Sequence, residues 1–238
     1  MTVRMPAVAF LQFPLEKTPL IYLLILTALL VEKRPVSTYG FSIKRVRAQL
    51  ALGLFLLFGN IILPAAALVS LLVVLFGVNP LAGYDFASFS LSVPFQVFAV
   101  GISEEGFFRG YMQTRLSQVT GIRRAVLFQA TLFGVWHFVW HINPLDLGGM
   151  AVHIASTFVF GLLTGAYFRY SGSIAGLALF HGLSNSLGAG LNPNLSGLPF
   201  SVDVLLVVFA VTELITTTLL IVFAGRISRR FRMEGAPH

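Results

Sequence analysis

Runs of apolar residues near 10 to 31, 50 to 77, 89 to 115, 123 to 142, 147 to 169, 173 to 191 and 202 to 224 dominate this sequence. At about 1.5 Å of rise per residue, such runs match a hydrocarbon layer roughly 30 Å thick. Inside lipid every backbone N–H and C=O must be satisfied within the protein, and a run of this length does so as an α-helix. The runs therefore specify an all-α, polytopic transmembrane helical bundle of about seven to eight spans. With 56% of its 238 residues hydrophobic and 11% charged, the chain has more apolar surface than a soluble domain could bury. We read residues 1–238 as a single integral membrane domain. The first run is the least regular, because Pro14, Glu16, Lys17 and Pro19 interrupt it; its early part is expected at the interface or as a separate short helix. The second run holds Gly59, Asn60 and Pro64, which predict a kink or a concealed break.

The formal net charge of +7 comes from cations grouped at the ends of apolar runs. Lys33, Arg34, Lys44, Arg45 and Arg47 follow the first run, Arg115, Arg123 and Arg124 the third, Arg169 the fifth, and Arg226, Arg229, Arg230 and Arg232 the seventh. The loops around Asn79 to Ser88, Ile142 to Leu147 and Asn192 to Ser201 carry no Lys or Arg. This asymmetry is a topology signal, so nucleic acid is excluded as a partner. It predicts a multi-pass protein of the plasma or inner membrane with its C-terminus in the cytoplasm and, for seven spans, its N-terminus outside. No cleaved signal peptide is expected. The sequence has no Cys, which removes disulfides, thiol nucleophiles and thiolate metal sites.

Inside the third run, Glu104 and Glu105 stand side by side, with Arg109 one helical turn beyond. A charge at the bilayer centre costs about 2.5–3.5 kcal/mol, so such groups need partners or a polar cavity. Glu105 and Arg109 share a helical face and can pair. Glu104 projects about 100° away from Glu105, toward a different cavity. That division suits Glu105 and Arg109 to a positioning pair and Glu104 to taking a proton from water. An architectural ion-pair cluster accounts for the same residues.

Two further motifs place polar side chains on single helical faces: His137 with His141 in the fourth run, and His181 with Asn185 in the sixth. Two imidazoles one turn apart can bind a metal or polarise a water. An imidazole and a carboxamide can donate to a developing oxyanion. The competing readings are an interfacial pair for His141 and interhelical hydrogen bonding for His181 and Asn185. Phe133 and His141, each one turn from His137, are assigned to substrate contact. Counted along the helix, Glu104 lies about 16 Å from Arg115, His137 about 20 Å from Arg124 and His181 about 12 Å from Ser173. The three can meet in one layer. His153 lacks a companion at helical spacing and reads as structural or interfacial; Asp203 and Glu213 read as isolated acids.

The ordered elements Glu104-Glu105-x-x-x-Arg109, Phe133-x-x-x-His137 and His181-x-x-x-Asn185 resemble the CPBP family of intramembrane peptidases. That family includes type II CAAX prenyl endopeptidases and relatives associated with bacteriocin processing and self-immunity. The resemblance covers residues 90–190, the catalytic core. It implies a helical bundle around a polar catalytic cavity open to the cytoplasm and laterally to lipid. Glu104 would activate water with help from His137, His181 and Asn185 would stabilise the oxyanion, and Glu105 with Arg109 would orient the site. It implies a glutamate protease that needs no cofactor, although two His and a Glu could also compose a zinc triad. The implied partners are membrane lipid and a peptide or protein with a membrane-embedded or lipidated terminus.

Two other classes fit parts of the pattern. A noncatalytic scaffold or bacteriocin self-immunity protein would use the same cavity for binding. A proton-coupled transporter would use Glu104, Glu105 and Glu213, but no inverted repeat is evident.

Overall fold

The computed structural model describes residues 17–142, 145–192, 198–199 and 202–230. Within them lie seven helices: α1 (Lys17–Glu32), α2 (Val46–Phe76), α3 (Phe86–Thr120), α4 (Ile122–Trp136), α5 (Leu147–Ser171), α6 (Ala175–Ala189) and α7 (Val202–Arg230). No strand occurs among the described residues. The elements coincide with the apolar runs because each run buries its own backbone polar groups. α2, α3 and α5 are long and apolar enough to cross a membrane. α4 and α6 have 15 residues each, about 22 Å of helix, and a 3₁₀ turn, His137–His141, lengthens α4.

The sequence leaves a kink or a break open in the second run, and the structure has neither a gap nor an extra helix there. α2 is one helical run with a π-helical stretch, Phe58–Ile62, immediately before Leu63 and Pro64. Pro64 has no N–H, and its ring would collide with the carbonyl four residues back. A local widening of the turn accommodates this without breaking the helix. In the first run the described residues form α1 from Lys17 to Glu32, with Pro19 inside it. Its earlier portion lies outside the described residues.

Helix ends follow local chemistry. Asp85 caps α3 by accepting from Ala87 N (2.9 Å) and Ser88 N (3.0 Å), and Asp146 caps α5 by accepting from Gly149 N (2.9 Å). Gly77 and Gly172 end α2 and α5 in the left-handed conformation.

α4 lies along α5, while α6 packs against both α2 and α3. These last contacts are backbone to backbone. A Cβ on Gly176 would stand 2.1 Å from Gln49 O, and one on Gly182 would stand 2.5 Å from Val97 Cα. Small residues are what allow such approach in membrane bundles, where there is no hydrophobic drive between helices. The result brings His181 of α6 against the acidic stretch of α3.

Candidate functional site

Glu104 and Glu105 sit at a change in helical winding. α3 is π-helical over Phe95–Gly101, passes through Ile102–Glu104, and is π-helical again over Glu105–Gln113. Widened turns of this kind recur at functional sites because they re-aim side chains. Glu104, Glu105 and Arg109 are all buried.

The expected pairing is present: Arg109 Nε lies 3.3 Å from Glu105 Oε2. The Arg109 guanidinium also lies over the Phe133 ring, 4.1 Å from its centroid. A cation held by a carboxylate and an aromatic face is compensated from two sides. Phe133 contacts the rings of Phe108, His137, Phe160 and His181 as well, so it is a packing hub as much as a wall of the cavity.

Glu105 has a second partner that helical spacing could not supply. Its Oε1 lies 2.9 Å from His181 Nδ1. A carboxylate ionised by Arg109 can only accept, so His181 donates its Nδ1 hydrogen. His181 Nε2 then faces the neighbouring acid, 3.9 Å from Glu104 Oε2. Asn185, one turn along α6, donates from Nδ2 to Gln96 Oε1 at 3.0 Å. That bond uses one of two amide hydrogens.

His137 closes the α4 helix and opens its 3₁₀ turn. Its Nδ1 donates to Phe133 O at 2.7 Å, since a carbonyl can only accept. In a neutral ring this fixes Nε2 as the acceptor nitrogen.

A cavity of about 460 Å³ adjoins the imidazoles and Asn185, while Glu104, Glu105 and Arg109 lie behind its walls. Its walls include Phe133, His137, His141, His181, Asn185 and, from α5, His153. His153 is the residue that sequence reading undervalued. Its Nδ1 lies 3.0 Å from His141 Nε2, and its ring lies 4.9 Å from that of His137. The companion it lacked along its own helix comes from α4, across a short connection that makes α4 and α5 antiparallel neighbours. His141 Nδ1 also stands 3.6 Å from Asp146 Oδ2. Glu213 of α7, read as an isolated acid, lines the same cavity. The walls run from Phe133, Phe160 and His181 to His141 and Gly149 beside the Ile142 to Leu147 connection. That connection is at the opposite end of α4 and α5 from Arg123, Arg124 and Arg169.

Beneath the site, two buried glutamines pin the helices. Gln113 Nε2 donates to Gly165 O (2.9 Å) and Gln129 Nε2 to Gly161 O (2.8 Å), tying α3 and α4 to α5. Among the described residues no three His, Asp or Glu side chains are arranged to hold a metal ion.

Taken together, the fold and the site define an all-helical membrane protein with a buried acid, imidazole and guanidinium constellation beside a cavity. Residues 86–187 match the family model described as Rce1-like, type II CAAX prenyl endopeptidase Rce1-like, over a little under half of the chain. This stretch, from the start of α3 to near the end of α6, contains the motifs that resemble the CPBP peptidase family, and the match supports that resemblance. No curated protein and no solved structure gives a significant match.

Proposed function

We propose that the chain is an intramembrane endopeptidase cleaving a peptide bond near a membrane-embedded or lipidated, CAAX-like terminus of its substrate. The observation that carries the reading is the buried chain Arg109, Glu105, His181, Glu104, whose His181 lines a cavity of about 460 Å³.

Glu104 is the proposed general base. It takes a proton from water as the water oxygen bonds to the scissile carbonyl carbon, and returns that proton to the amine nitrogen as the C–N bond breaks. His137 orients the water through its acceptor nitrogen. The oxyanion is met by His181 and Asn185. Because His181 already spends its Nδ1 hydrogen on Glu105, it can donate from Nε2 only as an imidazolium. Glu105 stabilises that cation, in the way a buried carboxylate supports a catalytic imidazole, and Arg109 keeps Glu105 ionised. Phe133 and His141 contribute walls to the substrate channel. The surrounding architecture in this proposal is a single membrane domain of seven spans, with residues 90–190 as catalytic core.

The test is a comparison of membrane-protein termini from cells carrying wild type or Glu104→Gln, each with and without chelator. Termini that vanish in the variant and persist with chelator identify substrate and mechanism together. Cleavage that survives Glu104→Gln leaves the scaffold or self-immunity reading in its place.

A further inference from the structure

α7 brings to the cavity a carboxylate that the proposed chemistry does not use. Glu213 is 6% exposed and shares the cavity of about 460 Å³ with His137, His141, His153, His181 and Asn185. The described lining residues include no Lys, no Arg and no second carboxylate. Among the described residues no side chain hydrogen-bonds to its carboxylate or forms an ion pair with it.

The placement of Glu213 is enforced. One turn further along α7, Thr217 Oγ1 donates to Asn60 Oδ1 at 3.0 Å, and Thr216 Oγ1 donates to the same oxygen at 3.3 Å. Asn60 is buried in the π-helical stretch of α2, and Ile61 beside it also lines the cavity. This clamp sets the rotation and depth of α7, so the face bearing Glu213 meets the cavity as part of a built wall.

A carboxylate at membrane depth is costly unless an opposite charge reaches it. Around Glu213 the cavity supplies apolar surface from Ile61, Val152, Phe160 and Phe209. Such a lining suits the methylene stem of a basic side chain, whose charged end would reach the carboxylate. We infer that Glu213 forms a subsite for a Lys or Arg side chain of the peptide bound in this cavity. The inference deepens the endopeptidase reading, because it assigns a specificity to the same site.

The test uses binding, so that it does not depend on turnover. Glu104→Gln protein in phosphatidylcholine nanodiscs is titrated with palmitoylated decapeptides carrying one Lys at successive positions, against norleucine counterparts. At one position, or two adjacent ones, Lys is expected to bind at least about 10-fold tighter. Adding Glu213→Gln should bring that ratio to about one, and Glu213→Lys should transfer the preference to a Glu-containing peptide. Glu213→Asp, which keeps the charge, should retain a reduced preference, and this separates loss of the subsite from loss of fold. The inference is overturned if no position favours Lys, or if the Lys preference survives Glu213→Gln. Peptides that bind with this preference yet are not hydrolysed by wild type would defeat the peptidase reading and leave the subsite standing.

Discussion

His181 Nδ1 lies 2.9 Å from Glu105 Oε1, and both side chains are buried. The contact links α6 to α3 and makes Glu105 a bridge between an arginine and an imidazole. Removing the charge of Glu105 would therefore strand two close partners, Arg109 at 3.3 Å and His181 at 2.9 Å, whereas Glu104 faces His181 Nε2 at the longer distance of 3.9 Å.

Glu105→Gln is expected to destabilise the protein by about 3–5 kcal/mol, because it leaves the Arg109 guanidinium buried without its counter-charge. Thermal unfolding in detergent should show this loss for Glu105→Gln and a much smaller one for Glu104→Gln. Equal losses would mean that the two carboxylates are not divided as assigned.

Activity should separate the two acids in the other direction. Glu104→Gln is expected to lower kcat by about 10²–10⁴-fold with the fold retained, the usual scale for loss of a general base. Single-turnover cleavage of a verified substrate measures it.

Gly176→Ala places a methyl group where Gln49 O already stands, 2.1 Å from the new Cβ. Overpacking of this kind costs about 1–3 kcal/mol. Since α6 carries His181 and Asn185, the displacement should also reduce activity. Unchanged melting temperature and turnover would show that α2 and α6 are not held in close backbone contact.

Asp85 lies outside the membrane-spanning part of α3, and hydrogen bonds from the Ser88 hydroxyl and backbone, then from Ala87 N, hold its carboxyl below the usual value of 3.8. A depressed native pKa gives a stabilisation present above the unfolded value. It is lost as pH falls from about that value through the native one. Asp85→Asn should flatten the decline in melting temperature below pH 3.8. A profile identical to wild type would remove the cap from the account.

Orientation is open to a clean experiment, because the sequence contains no Cys. Leu145 (66% exposed) and Val119 (81% exposed) lie on opposite sides of the basic asymmetry. With Leu145→Cys, an impermeant maleimide should label intact cells; with Val119→Cys it should label only permeabilised ones. The reverse pattern would put the Ile142 to Leu147 end of the cavity on the cytoplasmic side, where the family resemblance implies an opening.

What was legible in the sequence was whatever a single helix encodes. Apolar run length determined the seven helices, and four-residue spacing determined the Glu105 and Arg109 pair and the shared face of His181 with Asn185. Both follow from backbone geometry that no neighbour needs to supply. His137 and His141, expected on one α-helical face, reach the cavity from a 3₁₀ turn instead. Tertiary structure alone decided which faces meet: His181 on Glu105, His153 on His141 and His137, and Glu213 in the wall of the cavity. Those contacts depend on the rotation and depth of each helix. These in turn are set by glycine approaches such as Gly176 to Gln49 and by polar clamps such as Asn60 to Thr217. Periodicity along one chain carries no record of the angle at which a second helix will pack against it. The acid pair and its division into Glu105 with Arg109 and a separate Glu104 were therefore visible from spacing, while the placement of His181 against both acids came only with the fold.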